Sequence, residues 1–279
     1  MTAVPTTARR RASRRPGHWR ILGANVPGDS HCSRGLPAQD AFQFAEVPAG
    51  GGATPAYVLA VADGAGSRQR SGEAAHLAVG NSVDIVTSRL RAQPWPGDAL
   101  AWRRLVAESF AQTRHRLLRV VDVLGCQPSD FTSTLTLVVL CGRYVATASI
   151  GDCFLVARIG RDEKAKFHLI DTEAKKVGGQ ITPATVFLTS PECESEARST
   201  VMEDREISGL LLATDGLETP FLRRSTAGDL VRADWARRVI SFFDNRSQLG
   251  SPELLEFLLG KRLERYTRDD KTLLVAVPA

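Results

Sequence analysis

Nowhere in the 279-residue chain do eighteen apolar residues run together, so the sequence offers no helix able to cross a membrane. The first twenty residues contain no acidic residue and also lack the apolar stretch that follows the basic residues of a secretory leader. ILGANVPG, from Ile21 to Gly28, is too short and too broken by Gly and Pro to supply one. The five cysteines, Cys32, Cys126, Cys141, Cys153 and Cys193, form an odd set without a Cys-x-x-Cys pair, which argues against a disulfide framework or a zinc site. Three common site motifs are missing too. Counting from Gly64 and Gly66, the third position of a dinucleotide fingerprint is Gln69; Gly72 is followed by Glu73 where a phosphate-binding Walker loop needs Lys; and no G-x-S-x-G nucleophile elbow occurs. The expectation left by these absences is a soluble protein of a reducing, cytoplasmic compartment.

The composition is that of an ordinary globular chain, with 43% apolar and 24% charged residues, so a real core can form. Charge is unevenly placed. Six of the 36 basic residues lie in the first twenty positions, and without them 30 basic residues face 31 acidic ones. The basic character therefore belongs to ARRRASRRPGHWR, and the remainder is near neutral. The expectation is a disordered basic arm over residues 1–20 and one domain over 21–279. Such an arm overlaps in composition with organelle transit peptides, and its clustered cations are the one feature suited to nucleic acid or acidic lipid.

Strand-like runs rich in Val, Ile, Leu and Thr occur at Tyr57 to Ala62, Ser133 to Cys141, Tyr144 to Ile150, Phe154 to Ile159, Phe167 to Ile170, Leu210 to Ala213 and Thr272 to Val277. The three between Ser133 and Ile159 follow one another across GR and GD turns, and connections this short predict an antiparallel meander. Helical spacing governs Leu105, Val106, Phe110, Leu117 and Val121, with Asp98 placed as N-cap. A second helix is expected from Gly72 to about Arg91, and a third after Ser251-Pro252 with Leu254, Leu255, Leu258, Leu259 and Leu263 on one side. Strands and helices are partly segregated, which predicts an α+β sandwich. The region from Gly160 to Ser208 reads as loops or short helices that could form a flap governing substrate choice.

Several apolar strands end on a carboxylate. Asp63 closes AYVLAVAD, Asp152 sits in the turn of ASIGDCFLV, Asp215 follows LLLAT, Asp269 and Asp270 precede the last strand, and Asp40 stands where another strand begins. Singly, each is a turn or capping residue. Together they would pile like charges at converging strand ends unless a cation neutralised them, and Mg²⁺ or Mn²⁺ takes carboxylate, carbonyl and water oxygens.

The order of SHCSRGLPAQDAF, VADGAGSRQRSGEAA, DFTSTLTLVVL, ATASIGDCFLV, LLLATDGLE and RDDKTLLVAV resembles the metal-dependent serine/threonine phosphatases of the PP2C-like (PPM) family, in its divergent bacterial form. The resemblance implies a four-layer αββα sandwich of two antiparallel sheets with two Mn²⁺ or Mg²⁺ ions, and an optional third, at one end. It implies Asp63 as bridging ligand, Gly64 as carbonyl ligand, Asp215 and Asp269 as further ligands, and Asp152 as a ligand of the third ion. Asp40 matches the second carboxylate of the family's Glu-Asp pair, acting through metal-bound water. The chain departs from the family's DGHGG at Ala65 and Ser67, and Gln39 replaces the Glu of the pair. His31 could compensate as proton donor or bind the phosphate, or be an ordinary half-buried histidine; Arg34 is the candidate phosphate-binding arginine. Arg68 and Arg70 read as a basic loop able to steer a phosphorylated substrate or simply solvated. Thr132, Ser133 and Thr134 read as core support. The implied activity is hydrolysis of phosphoserine and phosphothreonine in proteins, with phosphoproteins and a cognate kinase as partners. The alternative is a catalytically weak relative that captures phosphoproteins or a kinase.

Overall fold

Both faces of the strand that ends on Asp63 are buried, and that requires a layer on each side of it. In the computed structural model, which describes residues 17–49, 54–66, 68–170, 176–177, 180–181, 185–223 and 230–279, the layers are two sheets and two sets of helices. Strands β1 (Trp19–Val26), β2 (Ala41–Val47) and β3 (Ala56–Ala62) flank the short helix α1 (Asp29–Cys32) and precede α2 (Ser71–Ala92) and α3 (Ala99–Leu124). Then come β4 (Leu135–Cys141), β5 (Tyr144–Ile150), β6 (Phe154–Ile159), β7 (Lys166–Ile170) and the small hairpin β8 (Lys176–Val177) and β9 (Gln180–Ile181). The chain continues through α4 (Cys193–Glu196), β10 (Arg198–Glu203), β11 (Ile207–Ala213), α5 (Glu218–Phe221), β12 (Leu222–Arg223), β13 (Leu230–Val231), α6 (Ala233–Asp244), α7 (Ser251–Leu258), α8 (Lys261–Glu264) and β14 (Lys271–Pro278).

One sheet has the order β10-β5-β4-β3-β2 and the other β1-β14-β11-β6-β7, each antiparallel throughout. Period-two alternation splits β3 cleanly. Tyr57, Leu59 and Val61 face the core between the sheets, while Ala56, Val58, Ala60 and Ala62 face α2 and α3. The small alanines let Ala74, Ala75 and Ala78 of α2 pack closely against them. In the other sheet, Leu274 and Ala276 of β14 face inward, and Leu273, Val275 and Val277 face the layer of α6 and α7. Two sheets between two helical layers make the αββα sandwich.

Helix α3 follows its sequence signals closely. Asp98 caps it, Oδ1 accepting the Ala101 N–H at 2.8 Å, and Gly125 ends it at φ +63°. Other expectations need correction. The run from Ser133 to Ile159 is no meander: β4 and β5 pair as a hairpin, but β6 joins the opposite sheet beside β11. Gly151, at φ +92°, helps the chain leave one layer for the other, a turn that a residue with a side chain rarely makes. The helix after Ser251 is two short helices, with Leu254, Leu258 and Leu263 buried but Leu255 and Leu259 exposed. Between Gly160 and Ser208 lies a strand, β10, bonded to β5. Helix α6, with Ala236, Val239, Ile240 and Phe243 buried, is an element the apolar runs did not suggest. Residues 171–175, 178–179 and 182–184 of the expected flap lie outside the described residues, as do 1–16 of the arm.

Trp19 and Arg20, assigned by composition to the arm, belong to β1. Arg20 donates to the carbonyls of Phe243, in the last turn of α6, and of Arg246 and Leu249 in the segment that follows it, where the helix dipole favours a cation.

Candidate active site

Antiparallel pairing brings the acidic strand ends to one edge of the sandwich. Ala41 pairs with Ala62, Leu135 with Ile150, Ala213 with both Phe154 and Leu273, and Val26 with Lys271. Asp40, Asp63 and Asp152 therefore leave one sheet where Asp215, Asp269 and Asp270 border the other. The β5–β6 crossing places Asp152 between them.

Asp63, Asp152 and Asp215 each offer a carboxylate oxygen within 4.8 Å of the others, and all three are half-buried. Two like charges at that separation repel by about 3 kcal/mol at an effective dielectric constant of about 20. Burial, followed by the charges of Asp40 and Asp215, holds the Asp63 carboxyl well above its usual range. Either protons or a cation must offset this repulsion. An all-oxygen set at half-buried strand ends matches a hard divalent cation, so the residues present fit one.

The backbone around Asp63 is clamped. Its N–H donates to Thr134 Oγ1 at 2.8 Å, its carbonyl accepts the Thr134 N–H at 2.8 Å, and Gly64 forms a bridge with Ser133. Thr132, Ser133 and Thr134, read from the sequence as core support, thus also hold the backbone of the site, the Thr132 carbonyl accepting the Ala65 N–H at 3.2 Å. A Cβ on Gly64 would come 2.7 Å from the Ser71 backbone and 2.8 Å from the Gln39 carbonyl, so only glycine admits this approach.

Asp40 is almost wholly buried and hydrogen-bonds with Asp63, while its Oδ2 accepts from Thr214 Oγ1 at 2.8 Å. Burial pushes its carboxyl up to about 7, with the charge of Asp270 adding to the rise against the Thr214 bond. Asp152 Oδ2 accepts from Thr185 Oγ1 at 3.0 Å.

The expected ligand Asp269 is not in the three-carboxylate group. It is exposed, and its Oδ1 accepts the Asp270 N–H at 2.9 Å. The neighbouring Asp270 is the buried one. Its Oδ1 accepts the Gly28 N–H at 2.7 Å and lies 2.7 Å from His31 Nδ1, and its Oδ2 accepts the Gln39 N–H at 2.6 Å. His31 is 3% exposed rather than half-buried, and Nε2 has no hydrogen-bond partner among the described residues; neither does the buried Oε1 of Gln39. Leaving such a group unsatisfied costs about 1–3 kcal/mol.

Arg34 is exposed and donates Nε–H to Ser30 O, within its own turn. Arg70 stacks over Phe131 at 4.6 Å and pairs with Glu73, so it braces the start of α2, whereas Arg68 is exposed. The sequence reading missed Thr214 and the anchoring role of Asp270. A threonine in a β-rich run and one of two adjacent aspartates carry no distinguishing signal.

Among proteins of known function, the chain is 27% identical over 267 residues to serine/threonine-protein phosphatase 3 of Escherichia coli (strain K12), covering 93% of this chain and 98% of that one. A bacterial serine phosphatase crystal structure superposes with a TM-score of 0.64 at 15% identity, over 94% of this chain and 98% of that one. Serine/threonine phosphatase Stp1 from Staphylococcus aureus gives 0.62 at 16% identity, over 96% and 98%. The family model described as protein phosphatase 2C matches residues 27–259, which include every strand of the two five-stranded sheets except β1 and β14, and the carboxylate edge except Asp269 and Asp270. With most of its length matched by that model, the chain belongs to the protein phosphatase 2C family.

Proposed function

We propose that this protein is a Mn²⁺- or Mg²⁺-dependent phosphatase that hydrolyses phosphoserine and phosphothreonine in proteins. The observation that carries the reading is the convergence of Asp63, Asp152 and Asp215 from two sheets and a crossing turn, in a chain of this family. These three would hold the cation, with the Gly64 carbonyl and Asp269 taken as further ligands from the family pattern. Bound divalent ions, two in the family pattern, supply a water of lowered pKa and neutralise phosphoryl oxygens.

The chain's own residues do the rest. Water oxygen bonds to phosphorus as the ester P–O bond breaks, and the electron pair of that bond stays on the serine or threonine oxygen. Asp40, held beside Asp63, accepts a proton from the attacking water. His31 Nε2–H gives one to the leaving oxygen, a role the family's own histidine cannot fill here because Ala65 stands in its place. Gln39 Oε1 accepts a hydrogen bond where the family's Glu carries a charge. Arg34 would have to turn from Ser30 to reach a phosphate. Phosphorylated proteins, and a kinase that makes them, are the partners this chemistry requires.

The test is hydrolysis of a phosphothreonine peptide and of para-nitrophenyl phosphate, with and without Mn²⁺, by the wild type and Asp215→Asn. Turnover should require the ion and fall at least about 100-fold in the variant, the loss expected when electrostatic stabilisation of a reacting group is removed. Two inert proteins that still bind Mn²⁺ would instead favour a phosphoprotein- or kinase-binding regulator.

A further inference from the structure

We propose that Asp270 is a positioning residue for catalysis: through one carboxylate it orients the His31 ring toward the phosphate ester and fixes the backbone at Gln39 beside Asp40. The inference rests on the phosphatase reading of the site. Its geometry is separate from the three-carboxylate group. Asp270 is 3% exposed at the start of β14 and takes only N–H donors. Gly28 N–H and His31 Nδ1–H share Oδ1, and Gln39 N–H takes Oδ2. Because Oδ1 already accepts a backbone amide, it meets the ring as an acceptor, so Nδ1–H is held on the carboxylate while Nε2 is the nitrogen whose proton can pass to the leaving oxygen. The reactive nitrogen is then Nε2.

That atom and Gln39 Oε1 are the two buried side-chain polar atoms of the segment from Gly28 to Asp40 that have no partner among the described residues. Both belong to residues whose position Asp270 sets, one through the ring and one through the backbone. Buried polar atoms are normally satisfied, and those left over in a native fold call for a ligand or water. Here the segment runs directly into Asp40, which hydrogen-bonds with Asp63 of the carboxylate group. The pair His31–Asp270 therefore stands beside the chemistry, holding a ring nitrogen in one orientation as a carboxylate does in other acid–base pairs. A residue bracing only the backbone would need the contacts to Gly28 and Gln39, but not the contact to Nδ1.

Three variants, His31→Ala, Asp270→Asn and the double, distinguish the two roles in full-length protein at saturating Mn²⁺ with para-nitrophenyl phosphate. Each single change should lower kcat about 100-fold with Mn²⁺ affinity within about twofold of wild type. The double should be no slower than the slower single, since both remove one function. Added imidazole should restore turnover to His31→Ala and not to the double variant. Multiplicative losses, or equal rescue of both, would overturn the proposal. Long-range ¹H–¹⁵N spectra of histidine-labelled wild type, with no metal added, should show His31 Nδ1 protonated. A bare Nδ1 sinks the pairing whatever the turnover. Protonated Nδ1 in a wild type that hydrolyses nothing would instead overturn the phosphatase reading, and with it the catalytic purpose of the pair.

Discussion

Thr214 Oγ1 donates to Asp40 Oδ2 at 2.8 Å and accepts the Thr272 N–H at 3.1 Å, so a single hydroxyl joins the end of β11 to the carboxylate before β2 and to β14. Thr214→Val keeps the shape and removes both bonds in a buried place. Stability should fall by about 2–3 kcal/mol, read from the urea midpoint at unchanged slope, because a carboxylate oxygen and an amide both lose partners. A midpoint equal to wild type would show that the hydroxyl holds nothing. Asp63 and Asp215 were legible from the chain alone, since an apolar strand running into Asp-Gly exposes the residue that interrupts burial. Thr214 was not, because threonine is an ordinary strand former and its partner lies 174 positions away. Asp269 and Asp270 are the same residue type, yet one is exposed and the other buried. Neighbouring identical residues cannot reveal in a sequence which side chain turns inward.

At the level of elements, strands buried on both faces were easiest to read and half-buried ones hardest. β3 and β14 show as continuous apolar runs, whereas β10 is RSTVME, half-exposed along most of its length, and its strand character depends on pairing with β5. Helix α6 lacks a side-chain cap at Arg232, so it has no start signal of the kind Asp98 gives α3. The sheet change at Gly151 follows from packing of two layers, which local turn residues do not encode. Gly216 tests how tightly two elements meet at the site: a Cβ there would run into the carbonyl of Asp270, with Asp269 Cβ 3.5 Å away. Backbone cannot rotate aside as a side chain can. Gly216→Ala should cost about 3 kcal/mol, the upper part of the range for overpacking. Stabilities of about 5–15 kcal/mol leave such a variant folded, so turnover lost beyond the unfolded fraction reports displacement of Asp215 and Asp270. Full kcat in a folded Gly216→Ala protein, measured beside its circular dichroism melt, would show that the contact is not needed to place them.

For the whole molecule, closing two sheets on one another gathers their acidic ends, and the fold then carries a charge cost that depends on pH and cation. Burial, more than any neighbouring charge, raises the Asp40 carboxyl from 3.8 to about 7, and Asp63 moves in the same direction. Between those two values the metal-free folded chain keeps a proton that the unfolded chain has released. The contribution of this pair to the stability of the metal-free protein therefore falls as pH rises from 3.8 to about 7, and it is complete only below that window. A divalent cation reverses the trend, because it competes with those protons and binds the folded state. At a concentration of about 100 times its Kd it adds about 2.7 kcal/mol, or roughly 5–10 °C in Tm for a domain of this size. Scanning calorimetry in a chelator should give a lower Tm at about pH 7.5 than at about pH 5, and saturating Mn²⁺ should raise the Tm more at the higher pH. A chelated protein that melts higher at about pH 7.5, or an Mn²⁺ shift that shrinks with rising pH, would mean that the carboxylates at this edge are neutralised from within the protein and that the cation is not what the fold is built to receive.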